Sequence, residues 1–339
     1  MIEGFYGPPW SHAERLELIR FCGREGLNTW VHAPKGDPFH RKLWREPYPD
    51  AELEQLGELV RESERHGVEL AYAIAPGLDI CYSKDEELET LLAKCAQVQS
   101  AGVTRFQLLW DDIDHSLNCA EDETRYGTAE RPSGAAQCDF SNRFLAAFPQ
   151  PGPLVICPMG YAGTGDSPYR RSFGPDLHSE IVVYWTGPEV VSLGITREAL
   201  NAAVARFHGH ELLLWDNYPV NDFDAERPLL FLGPLVGRDA RLAEGHCAGL
   251  IANAMVQAIP SKLALATIAD WTREPAGYDP IASYERALRE YGAEVVEAIR
   301  DLAAKPAPIE PPGDVRGLVA ALELGVHSPT ALALLEPFV

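Results

Sequence analysis

Eight times along this chain a short β-rich segment gives way to a stretch of helical periodicity. The β-rich segments begin near Met1, Asn28, Val68, Arg105, Leu154, Ile181, Glu211 and Gly249, and each runs into a polar or Gly/Pro cluster. Between them, His12–Cys22, Ala51–His66, Asp85–Ser100 and Arg197–Phe207 repeat apolar residues at three- and four-residue spacing, the period of one helix face. Ser11 and Thr196 stand where N-caps belong, and Gly26, Gly67 and Gly102 where a left-handed residue ends a helix. Strands separated by helices run parallel through right-handed crossovers. Eight such units predict an α/β fold, a (β/α)8 TIM barrel, with a doubly wound sheet as the alternative. Polar residues favour the barrel. Lys35, Asp37, Asp79, Asp111, Asp112, Tyr161, Trp185, Asn217, Asp222 and Asn253 all follow the C-terminal ends of these segments. A barrel gathers such ends around one mouth, whereas a doubly wound sheet gathers only those near its switch point.

Two regions break the alternation. His115–Gln137 reads as a long polar loop, long enough to be a rim or lid. From about Pro275 the strands stop: Ile281–Ala304 is a helical pattern, KPAPIEPPGD a Pro-rich linker, and Val315–Leu335 an Ala- and Leu-rich helix. The expected division is a catalytic barrel over 1–274 and a helical segment over 275–339, which would cover the barrel or pair with a second copy.

Charge narrows the partners. With 29 Lys and Arg against 50 Asp and Glu the formal charge is −21, and no basic run is present, which argues against nucleic acid. No apolar stretch approaches the ~20 residues of a membrane span, and MIEGFYGPPW lacks the pattern of a signal peptide. The seven cysteines (Cys22, Cys81, Cys95, Cys119, Cys138, Cys157, Cys247) are odd in number and never form C-x-x-C. That pattern suits neither a disulfide framework nor a structural zinc site, and it predicts a reducing, cytoplasmic compartment. His32, His40, His115, His208 and His210 lack metal-ligand spacing and read as structural. Phosphate-loop, G-x-S-x-G and nucleotide signatures are missing, so no cofactor is expected.

The sharpest motif is L-L-W-D-D-I-D at Leu108–Asp114. Inside a strand, Asp111 and Asp112 would face opposite sides. Just past a strand end that alternation lapses, and two carboxylates on neighbouring Cα atoms can meet one substrate. Like charges that close titrate apart, giving an anionic stabiliser and a general acid from identical residues. The alternatives are a helix cap, or a divalent metal held by Asp111, Asp112 and Asp114. A second cluster, W-D-N-Y-P-V-N-D-F, sets Asn217 and Asp222 among Trp215, Tyr218 and Phe223. Hydroxyl-binding groups beside aromatic faces suit a sugar; the alternative is a loop whose Asn and Asp bond backbone. Lys35 and Asp37 would otherwise be a surface ion pair of little consequence.

Taken together, E-G-F-Y-G-P-P-W, N-T-W-V-H-A-P-K-G-D-P, W-R-E-P-Y, I-A-P-G-L-D-I, W-D-D-I-D-H, S-P-Y-R-R, Y-W-T-G-P-E-V-V-S and W-D-N-Y-P-V-N-D resemble glycoside hydrolase family 84, over roughly Met1–Trp271. That family comprises the O-GlcNAcases and related bacterial β-N-acetylglucosaminidases. The resemblance implies a retaining hydrolase in which the substrate's own 2-acetamido group attacks the anomeric carbon through an oxazoline, an exception to the two-carboxylate scheme. It implies that Asp111 orients and polarises the acetamido group, and that Asp112 protonates the departing oxygen and then deprotonates water. Gly4 (through its backbone), Lys35, Asp222 and Asn253 would contact sugar hydroxyls. Asn217 would hold Asp111 and the acetamido group, Tyr161 would bond near the oxazoline, Trp215 would wall the acetyl pocket, and Cys157 sits at the pocket wall. The implied partner is a GlcNAc-bearing glycan or O-GlcNAc glycoprotein. Two departures stand out: the family's P-T-E-Y reads Pro158-Met159-Gly160-Tyr161, without the carboxylate beside Tyr161, and Gly36 replaces a common acid. The rival functions are a metal-dependent barrel hydrolase and a non-catalytic GlcNAc-binding module.

Overall fold

The computed structural model describes residues 1–223, 230–289 and Val296. Its strands are β1 (Ile2–Glu3), β2 (Thr29–His32), β3 (Glu69–Ile74), β4 (Arg105–Leu109), β5 (Val155–Cys157), β6 (Val182–Trp185), β7 (Leu212–Asp216) and β8 (Cys247–Ala252). They lie side by side in chain order in one sheet, and a parallel bridge from Ile2 to Asn253 joins the last to the first. This is the expected (β/α)8 barrel. The helices are α1 (His12–Glu25), α2 (Asp50–Arg65), α3 (Asp85–Ser100), α4 (Ala120–Tyr126), α5 (Pro132–Ala147), α6 (Pro168–Phe173), α7 (Arg197–Arg206), α8 (Ala258–Arg273) and α9 (Pro280–Leu288).

Alternation along β3 shows how the barrel fills. Ala71, Ala73 and, just beyond, Ala75 face the bore with Val31, Leu109, Tyr184 and Trp215. Leu70, Tyr72 and Ile74 face the surrounding helices. Small residues on one wall leave room for Tyr184 and Trp215, whose rings meet edge to face at 5.1 Å. On β4 the outward register ends in Trp110, which donates to Ser141 Oγ at 3.1 Å and packs edge-on to Phe140. That bolts the tip of the strand to α5 immediately before Asp111.

The expected helix ends are present. Ser11 and Glu14 form a reciprocal capping box, Thr196 accepts from the Ala199 N–H, and Gly26, Gly67 and Gly102 all have positive φ. Two readings need correction. His115–Gln137 is not an unstructured loop: it holds α4 and the start of α5. The local signals were there, acids in the first turn of α4 and a proline opening α5. And Cys81 and Cys119 form a disulfide, with Cα atoms 5.7 Å apart, while the other five cysteines are free. An odd count does not preclude one pair, and this one depends on the fold bringing together the loops after β3 and β4.

At the C-terminal end, Ser283 and Arg286 of α9 bond Asp270 of α8, and Arg286 also pairs with Glu25. The Pro-rich linker, the Val315–Leu335 helix and, apart from Val296, the part of Ile281–Ala304 beyond 289 lie outside the described residues. No helix among the described residues is long and apolar enough to cross a membrane.

Candidate active site

Asp111 continues the inward register of β4 past its end, and the next residue breaks that register. Asp112 has φ 54°, a left-handed conformation that a side chain rarely adopts. This is the lapse that lets neighbouring carboxylates share one cavity. Asp111 is buried, and its Oδ2 accepts from Lys35 Nζ at 2.5 Å. Its Oδ1 is buried without a hydrogen-bond partner. Asp112 is exposed and spends both oxygens: Tyr6 donates to Oδ2 and Tyr161 to Oδ1, each at 2.9 Å. Burial and the charge of Asp112 push both phenols well above their ordinary range, so they stay protonated donors.

A cavity of about 130 Å³ opens at this end of the barrel, lined by Gly4, Asp111, Asp112, Tyr161, Trp215, Asn217, Asp222 and Asn253 among others. The fold thus brings eight of the nine expected site residues to one place. Their bonds interlock: the Gly4 N–H donates to Asn253 Oδ1 at 3.2 Å, and Asn253 Nδ2 and Trp215 Nε1 both donate to Asn217 Oδ1 at 3.0 and 2.9 Å. A Cβ on Gly4 would lie 2.7 Å from Trp215 Cζ2, so only glycine admits the indole here. The Tyr6 N–H donates to Asp222 at 2.6 Å, while burial raises the Asp222 carboxyl above the usual range. Cys157 lines the wall, and burial followed by the Asp111 charge pushes its thiol far up, which leaves it inert.

The ninth residue, Lys35, does not line the cavity. Its side chain is 1% exposed and engages Asp111 from behind, so its first partner is the aspartate rather than a sugar. Asn217 likewise does not bond Asp111: its amide is taken by Trp215, Asn253 and the Val190 carbonyl. Three other strand-end residues serve structure. Asp37 caps the turn at Pro38–His40 and accepts from Tyr48, Asp79 receives Trp44 and Arg45, and Trp185 is buried, donating to the Gly163 carbonyl. His32, His40 and His210 are buried, as structural histidines should be.

Neither carboxylate caps a helix, since α4 begins after Cys119 without a side-chain cap. Asp111 is engaged by Lys35 and Asp112 by two phenols. The one grouping with metal-ligand spacing among the described residues is Cys81, Cys119 and Asp122. There the two sulfurs are bonded to each other, and none of the three lines the cavity.

Two residues of the site escape sequence reasoning. Tyr6 sits within E-G-F-Y-G at the first strand end. Arg41 follows the Pro38–His40 turn, donating to the Tyr6 hydroxyl at 2.5 Å and to the Asp112 carbonyl at 2.7 Å. Their placement after strand ends was the available signal. Gly160 stands where the carboxylate beside Tyr161 is missing. A Cβ on Gly160 would lie 2.9 Å from the buried Tyr169 ring. Arg170, itself buried, donates to the carbonyls of Gly160, Ala162, Gly163 and Gly165, which knits the Tyr161 loop together.

A larger depression, about 460 Å³, lies at the opposite end of the barrel, among residues such as Asn28, Glu69, Arg105 and Leu250. Barrel enzymes keep their chemistry at the C-terminal ends of the strands, where the paired aspartates are.

The chain is similar to proteins of known kind. Residues 1–304 match the family model described as beta-N-acetylglucosaminidase. Protein O-GlcNAcases of Rattus norvegicus and Mus musculus are each 38% identical to this chain over 277 residues, covering 80% of it and 29% of their own length. The chain thus spans under a third of those relatives. A point variant of an O-GlcNAc hydrolase from Thermobaculum terrenum superposes with a TM-score of 0.83 at 34% identity, over 95% of this chain and 70% of that one. The chain belongs to the β-N-acetylglucosaminidase family, glycoside hydrolase family 84.

Proposed function

We propose that the chain is a retaining β-N-acetylglucosaminidase that removes terminal β-linked GlcNAc by substrate-assisted catalysis. The observation that carries this reading is Asp111 Oδ1, a buried acceptor with no donor in a cavity walled by Trp215. A buried acceptor left unpaired costs about 1–3 kcal/mol, and more when charged. An acetamido N–H is a donor of the right kind to meet it.

In the first step the acetamido oxygen bonds to the anomeric carbon as the glycosidic C–O bond breaks, and Asp112 gives its proton to the departing oxygen. Asp111 accepts the acetamido N–H and balances the positive charge that builds on the forming oxazoline ring. In the second step water attacks the anomeric carbon, Asp112 takes its proton, and the ring opens to restore the acetamide. Two inversions leave the configuration unchanged. Asp112 alternates between acid and base, and the phenols of Tyr6 and Tyr161 suit its anionic half-cycle. Trp215 would wall the acetyl group, the Gly4, Asn253 and Asp222 set would read hydroxyls, and Lys35 would serve by compensating the Asp111 charge.

Similarity to the protein O-GlcNAcases extends the proposal to Ser/Thr-linked GlcNAc of glycoproteins, with glycans as the other source. Five free cysteines, four of them buried, fit a cytoplasmic setting, where the Cys81–Cys119 bond would follow the local redox poise. Division into a barrel over 1–274 and a helical segment over 275–339, with pairing of two copies through that segment, completes the proposal; sedimentation of the full chain against one ending at 289 tests the pairing. The activity itself is tested by NMR during hydrolysis of an aryl N-acetyl-β-glucosaminide. The β-anomer should form first, and initial formation of the α-anomer would rule the mechanism out.

A further inference from the structure

We infer that Arg41 is a positioning residue for Asp112, acting on its main chain directly and on its carboxylate through Tyr6. The inference deepens the proposed reading of Asp112 and rests on it. One nitrogen of the guanidinium donates to the Asp112 carbonyl at 2.7 Å and the other to the Tyr6 hydroxyl at 2.5 Å. That hydroxyl in turn donates to Asp112 Oδ2 at 2.9 Å. One cation therefore grips the aspartate at both ends.

The main-chain contact matters because Asp112 is held at φ 54°. A non-glycine residue keeps such a conformation only where its surroundings over-determine it. An arginine fork on the carbonyl is such a constraint, and the backbone of Asp112 sets where its carboxyl points. The side-chain contact matters because a positive charge on a phenol oxygen strengthens its O–H as a donor. Tyr6, backed by Arg41, thereby fixes Oδ2, while Tyr161 meets Oδ1 from the other side of the carboxylate.

Arg41 is well mounted for the task. It follows a turn capped by Asp37, and its neighbour His40 is pinned to the Ala73 carbonyl at 2.7 Å. None of the ion pairs among the described residues includes Arg41; its charge is directed at the phenol and the carbonyl. It does not line the cavity, which separates its role from substrate binding.

The test compares two aryl N-acetyl-β-glucosaminides, one with a 2,4-dinitrophenyl leaving group that needs no acid and one with a poor phenol that does. General acid catalysis supplies about 10²–10⁴-fold on substrates that need it. In Arg41→Met, kcat for the poor leaving group should fall about tenfold or more, while kcat for the dinitrophenyl glycoside changes less than about threefold and KM stays near wild type. Arg41→Lys, which keeps the charge but loses the fork, should recover part of the loss. Equal losses on both substrates, or no loss on the poor one, would overturn the inference. Should Arg41→Met fail to fold, the same two-substrate comparison on Arg41→Lys decides: a selective loss supports the role and an equal one refutes it. Failure of the underlying reading is seen separately, as an Asp112→Asn variant that loses equally on both substrates, and the inference then falls with it.

Discussion

Lys35 meets Asp111 at 2.5 Å with the two side chains 1% and 6% exposed. Removing one member of such a pair strands a buried charge, which costs on the order of 3–5 kcal/mol. Lys35→Met should therefore lower the denaturation midpoint markedly and abolish most activity. Combining it with Asp111→Asn should restore much of the stability and none of the activity. Urea titration of the two single variants and the double variant measures the coupling; additive losses would show that the two residues act independently.

Gly4 packs directly against Trp215, the proposed wall of the acetyl pocket. Gly4→Ala places a methyl 2.7 Å from Trp215 Cζ2, inside contact distance, so the indole must shift. Overpacking of this kind costs about 1–3 kcal/mol. The fold should survive while kcat/KM falls about tenfold or more. An unchanged kcat/KM in steady-state assays would mean that Trp215 does not shape the substrate pocket.

His40 makes the protein acid-sensitive. Burial, then the charge of Lys35, hold its imidazole down to about 3, against 6.5 for the free side chain. The unfolded chain therefore takes up a proton that the folded one refuses. This contribution to stability is fully present above pH 6.5 and is lost as pH falls from there toward 3. At roughly 1.4 kcal/mol per pH unit the full loss is about 5 kcal/mol. Urea unfolding at pH 7.5, 5.5 and 4.5 should show stability declining, with a shallower decline in His40→Gln. Parallel slopes in the two proteins would refute the assignment.

The disulfide should matter for stability more than for chemistry. Cys81–Cys119 closes a loop with a sequence separation of 38, which in the chain-entropy account is worth up to about 4 kcal/mol. Asp122 still ties the same loops when the bond is gone, accepting from the Tyr82 and Ser83 N–H groups at 2.8 and 2.7 Å. Cys119→Ser and reductant-treated wild type should melt at the same lowered temperature and keep most of their activity at 25 °C. A midpoint indifferent to reductant would show that the bond contributes nothing.

How much of this was legible in the amino-acid order follows from the range of each interaction. Period-two and period-3.6 patterns are local, so the eight β/α units and the caps at Ser11 and Thr196 could be read directly, and the polar residues at the strand ends then favoured a barrel over a doubly wound sheet. Asp111 and Asp112 stood out because adjacency in the chain is adjacency in space. Gly4, Trp215, Asn217, Asp222 and Asn253 needed both the resemblance and the barrel's habit of gathering strand ends. What stayed hidden depends on long-range geometry. Tyr6 and Arg41 reach Asp112 from the loops after β1 and β2, Lys35 turns toward Asp111 instead of the cavity, and Arg170 gathers four backbone carbonyls of the Tyr161 loop. Cys81 and Cys119 become partners only once the loops after β3 and β4 are neighbours.

The central claim is that the substrate's acetamido oxygen is the nucleophile, aided by the unpaired oxygen of Asp111. It is tested most directly by hydrolysis of a series of aryl N-acetyl-β-glucosaminides whose acetyl group carries zero, one, two and three fluorines. Each fluorine weakens the carbonyl oxygen, so log kcat should fall steadily along the series. A rate that ignores fluorination would contradict the account.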